Sequence, residues 1–144
     1  MSTYADTSFV VSLYVFDSNS PQASAIFAKL SFPIVLTPLL EVEIVNAFNL
    51  RIFRKELREK EIKASLELFG KDVRSGVFEL KSVSNEIFRQ GSLISSRRTA
   101  KFGTRTLDLL HVASAVFLRT DEFCTFDKKQ AELAQAEGLA VRGC

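Results

Sequence analysis

Short apolar runs alternate along this chain with longer stretches of helical period, and that alternation predicts an α/β fold. A first strand ends at Asp6. Ser20-Pro21 reads as an N-cap followed by proline at the first helical position, opening a helix towards Leu30, and Pro33 to Thr37 reads as a second strand. Thr37-Pro38 repeats the cap-and-proline signal and opens a long helix to about Lys55. A further helix from about Glu59 to Val73 makes the pair a helical hairpin. Val77 to Val83 alternates apolar and polar residues as a strand does, and Ser84 or Asn85 then caps a helix towards Arg97. The segment from Arg97 to Arg105 carries Gly103 and four cations and reads as a loop. Thr106 caps the next helix, Glu122 to Phe126 is a strand, a last helix runs from Asp127 to near Gly138, and Leu139 to Val141 is a final edge strand.

Parallel strands joined by right-handed helical crossovers put their carboxyl ends on one side of the sheet, the side where α/β proteins bind ligands. Asp6 and Asp127 both fall at such ends. Asp108 stands in the first turn of a small-residue helix, and Glu43 projects beside Leu39, Ala47 and Leu50 on a largely apolar one. Each acid also has an ordinary reading when taken alone: Asp127 as an N-cap, Asp108 as a first-turn charge that suits the helix dipole, Asp6 as a turn residue. Glu41 lies between Phe48 and Ile52 on the same helix, so burial alone does not separate it from Glu43. Asp17 and Asp121 read as loop and turn residues, the latter at the opposite edge of the sheet.

Composition narrows the class. A chain of 144 residues with 47% hydrophobic and 25% charged residues suits one folded domain, residues 1–144. With 13 Phe and no Trp, its core depends on aromatic packing. The run Phe9 to Phe16, broken by Ser12, is far too short to span a bilayer, and no basic segment with a long apolar core opens the chain. Cys124 and Cys144 suggest neither a disulfide framework nor a zinc site, so a reducing cytoplasm with no membrane partner is expected. The formal charge of +2 is uninformative until the cations are placed. One group, from Arg51 and Arg54 to Lys63, lies on and after the first helix of the hairpin. The other, Arg97, Arg98, Lys101 and Arg105, leads into Asp108.

Crowded carboxylates repel one another, and burying their charge is costly unless something compensates it. Divalent cations do so, and Mg²⁺ and Mn²⁺ prefer oxygen ligands while retaining waters. Two such ions about 3.5–4 Å apart can activate a water and stabilise the leaving oxygen of a phosphodiester; one ion fits the sequence equally well.

Four segments in order, the Asp6-Thr7-Ser8 opening, the run from Glu43 through Asn46, Ala47 and Phe48 to Arg51 and Arg54, the stretch Leu107 to Ala115 around Asp108, and Thr125-Phe126-Asp127, resemble the PIN-domain ribonucleases, and within them the VapC-type toxins of toxin–antitoxin pairs. The resemblance spans essentially the whole chain, and it selects Glu43 over Glu41. It implies a PIN-like three-layer α/β/α sandwich with a short, mainly parallel sheet. It also implies an endoribonuclease using Mg²⁺ or Mn²⁺ on Asp6, Glu43, Asp108 and Asp127, a homodimer, and a small antitoxin protein that blocks the site.

Around these acids, Thr7 and Ser8 are placed to orient the Asp6 carboxylate, and Arg97, Arg98, Lys101 and Arg105 to engage RNA phosphates. His111, the only histidine, is expected to serve as a structural hydrogen-bonding group rather than a metal ligand. Phe48, Ile52 and Phe53 on the hairpin are expected at a two-fold contact. A receiver-type phosphoacceptor would need a pair of acids near the first strand, where this chain has Asp6 alone. A catalytically silent PIN module that binds RNA or protein is the remaining alternative.

Overall fold

The structure, a computed structural model, describes residues 2–144. Among these residues five strands, each of three residues, form one wholly parallel sheet. They are β1 (Thr3–Ala5), β2 (Ile34–Leu36), β3 (Phe78–Leu80), β4 (Glu122–Cys124) and β5 (Ala140–Arg142), in the spatial order β3-β2-β1-β4-β5. A parallel pair cannot be closed by a tight turn, and the connections are helical: α1 (Thr7–Tyr14), α2 (Ser20–Phe27), α3 (Pro38–Phe53), α4 (Glu59–Arg74), α5 (Asn85–Phe102), α6 (Thr106–Phe117) and α7 (Lys128–Ala136). The helices pack as two sets, α1 to α4 and α5 to α7, giving the three-layer α/β/α sandwich.

The centre of the sheet is dry. Every residue of β1, β2 and β4 is buried, including Thr3 and Glu122, as expected of parallel strands covered on both faces. Tyr4 on β1 and Phe123 on β4 are register partners with stacked rings 5.4 Å apart, and Tyr14, Phe69 and Phe78 form a second aromatic cluster between α1, α4 and β3. The hairpin of α3 and α4 forms as the cap-and-proline signal predicts: the Thr37 hydroxyl accepts from the Leu40 N–H, and Pro38 opens the helix.

Three expectations need correction. The segment Arg97 to Arg105 is not a loop, because α5 continues to Phe102 and ends at Gly103 in the left-handed conformation (φ 65°). Ile87, Gly91, Ile94, Arg98 and Phe102 recur at helical spacing on the face turned inward, and that period outweighs the density of charge. Residues 7–14, to which the sequence pattern assigned no element, form α1, started by Asp6 acting as N-cap to the Phe9 N–H. Phe48 does not face a second copy: with Leu40 and Ile44 it makes the fully buried stripe of α3, and Ile52 packs against the same core. Phe53 lies off that stripe and is 82% exposed.

Candidate active site

Residues immediately after β1 and β4 stand at the same end of the sheet, since both strands run parallel and in register. Asp6 follows β1, its N–H bonded to the Cys124 carbonyl at 2.9 Å, and Asp127 lies three residues beyond β4. α3 brings Glu43 and α6 brings Asp108 to the same place. The four acids line one open cleft of about 550 Å³.

Asp6 is almost fully buried and heavily bonded. Its Oδ1 accepts from Ser8 Oγ (2.7 Å) and the Phe9 N–H (3.1 Å), and its Oδ2 accepts from Thr125 Oγ1 (2.5 Å). Burial nonetheless dominates and raises its carboxyl above the ordinary range, against the hydrogen bonds from Thr125, Ser8 and Phe9. Asp127 caps α7 through Oδ1, which accepts the Lys129 and Gln130 N–H groups at 2.9 and 3.1 Å. Its own N–H donates to Thr125 Oγ1 at 3.0 Å, so one hydroxyl ties Asp6 to Asp127.

Glu43 is half-buried while Glu41 points to solvent, so the two glutamates that helical projection left unresolved are separated by their surroundings. Thr7 Oγ1 donates to Glu43 Oε2 at 2.7 Å, and His111 Nε2 bonds the same oxygen. The other ring nitrogen, His111 Nδ1, meets Tyr4 Oη at 2.6 Å in the core. A chain of hydrogen bonds therefore runs from the central strand through His111 to Glu43 and fixes that carboxylate. Partial burial works to raise the Glu43 carboxyl, but the His111 hydrogen bond and charge, Thr7 and Arg105 outweigh it and leave it below its usual value.

Asp108 has the least support. Its one close polar contact among the described residues is Arg105 Nε, 3.5 Å from Oδ2, on a side chain 84% exposed. Burial raises its carboxyl; Arg105 opposes this, while the negative charges of Asp127 and Glu43 add to it.

Of the expected supporting residues, Ser8 does orient Asp6, whereas Thr7 serves Glu43 instead. Thr125 and Tyr4 were not singled out; Thr125, two positions before Asp127, carries a local Ser/Thr-turn signal, and Tyr4 carries none. His111 takes the structural role expected of it. The four cations divide. Arg97 and Arg98 both clasp Glu137 beyond the end of α7, at 2.6 and 2.8 Å, so their charge is spent on joining α5 to α7. Lys101 is exposed and lies over the Phe102 ring. Arg105 alone of the four stands beside the acids. Arg54, from the other basic group, and Asp17 also line the cleft; Asp17 is held by Ser12, Asn19 and Arg51, as a loop residue would be. Asp121 accepts from the Ser2 N–H at the amino-terminal end of β4, away from the acids.

The donor chemistry is that of a hard-cation site. No hydrogen bond from the described residues reaches Glu43 Oε1, Asp108 Oδ1 or Asp127 Oδ2. Both His111 nitrogens are engaged, and the buried Cys124 thiol is pushed up to about 12 by burial first and by Glu122. Free oxygens, without free nitrogen or thiolate, suit Mg²⁺ or Mn²⁺. Among the described residues no group of three acidic, histidine or cysteine side chains is already arranged to hold a metal ion.

The domain model for the PIN domain matches residues 3–136 of this chain. Curated proteins gave no match. Among solved structures, the fold is similar to VapC20 of Mycobacterium tuberculosis, a sarcin-ricin loop cleaving toxin, with TM-score 0.70 and 16% identity over 96% of each chain. It is also similar to FitAcB of Neisseria gonorrhoeae, with TM-score 0.73 and 16% identity over 96% of this chain and 95% of that one. VapBC2 of Rickettsia felis, determined with a DNA fragment from their promoter, has TM-score 0.68 and 14% identity over 99% and 98%. With a family model covering nearly its whole length and a sheet that gathers four acids at its carboxyl end, the chain belongs to the PIN-domain family.

Proposed function

We propose that this protein is a divalent-metal-dependent endoribonuclease, the toxin of a toxin–antitoxin pair. One observation carries the reading: Asp6, Glu43, Asp108 and Asp127, from four separate elements, line a single cleft, and each keeps acceptor capacity that the fold does not use. Mg²⁺ or Mn²⁺ bound there would supply Lewis acidity and lower the pKa of a water. The chain's own residues do the rest. Thr125 and Ser8 hold Asp6, Thr7 and His111 hold Glu43, and the α7 cap holds Asp127, so the carboxylates are pre-oriented before substrate arrives. Arg54, in the lining of the acid cleft, and Arg105, beside Asp108, meet the neighbouring phosphates of the RNA. Arg97, Arg98 and Lys101 are left with structural and solvent roles.

A small antitoxin partner and a homodimer complete the proposal, supported by the resemblance to VapC-type toxins and by a fold shared with VapBC2 and FitAcB. Val42, Val45, Leu50 and Phe53 leave an exposed apolar strip on α3 beside the cleft that suits a protein contact. Cleavage of single-stranded and structured RNA by the purified protein tests the nuclease reading. It is expected to require Mg²⁺ or Mn²⁺, to stop in chelator, to be lost in Glu43→Gln and to persist in Glu41→Gln. Loss of activity in Glu41→Gln with retention in Glu43→Gln would overturn the site assignment. Undiminished cleavage in chelator would overturn the metal.

A further inference from the structure

A smaller recess of about 310 Å³ adjoins the acid cleft, with Asp108 and Asp127 on their shared rim. Its other walls are Gly103 and Thr104, Arg105, and Lys129 and Gln130 from the first turn of α7. Gly103 ends α5 with φ 65°, and among the described residues no atom within 4 Å would oppose a side chain there. Only the backbone conformation demands glycine.

Two features of this recess have no structural explanation. Arg105 and Lys129 both stand exposed at its edge; among the described residues Lys129 has no carboxylate partner, and Arg105 pairs with Asp108 alone. Gln130 is 2% exposed, yet no hydrogen bond from the described residues reaches its carboxamide, and its Oε1 is fully enclosed. Its backbone N–H is already taken by Asp127 Oδ1. Leaving a buried amide unpaired costs stability, and a leucine of similar volume would avoid that cost. A polar group kept in an apolar position beside a reactive site points to a ligand.

On the ribonuclease reading above, we infer that this recess is a nucleotide subsite: it takes the ribonucleotide flanking the scissile phosphate, with Gln130 reading the base edge. The choice follows from the chemistry of the walls. Two cations at the rim suit a phosphate, but a carboxamide presents an acceptor beside its donor, and the acceptor repels an anion. Adjacent donor and acceptor are what a nucleobase edge offers in return, and unstacked RNA bases are read in this way. Since its Oε1 is enclosed in this structure, the Gln130 carboxamide must turn outward about its side-chain torsions to meet the base, while Arg105 and Lys129 face the backbone.

The test uses short RNAs that differ at single positions, with two readouts. In chelator, binding to the full-length protein is measured by fluorescence anisotropy; with Mn²⁺, the cut ends of a randomised pool are sequenced. Wild type should prefer one base next to the cut by at least about fivefold, the discrimination expected of one good contact. Gln130→Leu should bring that preference to within about twofold while melting at or above the wild-type temperature, because it removes an unpaired amide. Lys129→Ala should weaken all sequences alike and lower the salt slope by about one. An unchanged base preference in Gln130→Leu, or a marked fall in its melting temperature, would overturn the subsite. The nuclease reading fails separately: absence of cleavage alongside Gln130-dependent base preference in binding would sink it and leave the subsite standing.

Discussion

Replacing Asp108 with Asn separates a functional acid from a structural one. Among the described residues Asp108 accepts no hydrogen bond from the backbone, and its one charged contact is to an Arg105 side chain that is 84% exposed. Such surface pairs are worth about 0.5 kcal/mol. Against that loss stands relief, because burial and the charges of Asp127 and Glu43 hold the Asp108 carboxyl above its ordinary value, so the folded state disfavours its ionisation. For 144 residues the unfolding entropy makes 1 kcal/mol equivalent to about 3 °C of melting temperature. Asp108→Asn in chelator should therefore melt no more than about 2 °C below wild type, and equally well above it. Metal reverses the order. At a hundredfold excess over its dissociation constant, Mn²⁺ should stabilise wild type by about 2.7 kcal/mol, roughly 9 °C, and the variant far less. Calorimetry of both proteins in chelator and in excess Mn²⁺ provides the check. A fall of several degrees in chelator, or an equal rise of both with metal, would refute the reasoning.

Asp127 should behave differently, because it caps α7 through two N–H groups: Asp127→Ala should cost about 0.5–2 kcal/mol in chelator as well as in metal, and a purely metal-dependent loss would show that the cap contributes nothing. Tyr4→Phe leaves His111 Nδ1 without its buried partner and should cost about 1–3 kcal/mol while weakening Mn²⁺ binding through Glu43; unchanged affinity by titration calorimetry would break the proposed link. The pH dependence has a definite sign. Asp6 and Asp108, raised chiefly by burial, take up protons at higher pH folded than unfolded, so in chelator their contribution to stability should rise as pH falls towards the ordinary Asp value of about 3.9. Glu43 and Glu137, depressed by His111 and by Arg98 and Arg97 respectively in spite of burial, contribute stability that is lost as pH falls below the ordinary carboxylate value of about 4.3. Melts from pH 7 to 3.5 should thus pass through a maximum, and Asp108→Asn should flatten its neutral side; a monotonic fall from pH 7 would contradict both shifts.

What the chain revealed in advance was whatever local chemistry encodes. Thr37-Pro38 announces α3, and apolar runs ending at Asp6 and Asp127 mark strand ends, because caps, proline and period act within a few residues. The choice of Glu43 over Glu41 depends on Thr7 and His111, 36 and 68 positions away, and no helical projection contains those partners. α1 escaped because its run of apolar residues has no polar stripe to reveal a period; its single cue was Asp6 three residues before Phe9. Arg97 and Arg98 read as free cations since Glu137, which neutralises them, arrives from a different helix. Nothing in the local sequence marks Gln130, whose burial is a product of tertiary packing.

The central claim is that these four carboxylates direct metal-dependent hydrolysis of RNA, and the chemistry of the cut ends tests it most directly. Attack by water with the ribose 3′ oxygen leaving produces 5′-phosphate and 3′-hydroxyl ends, whereas attack by the neighbouring 2′-hydroxyl produces a cyclic phosphate. End-group analysis of RNA cut by the purified protein should find 5′-phosphate and 3′-hydroxyl ends, formed with Mn²⁺ or Mg²⁺ and absent both in chelator and with Asp108→Asn. Cyclic phosphate ends, or cleavage that survives either the chelator or the substitution, would contradict the account.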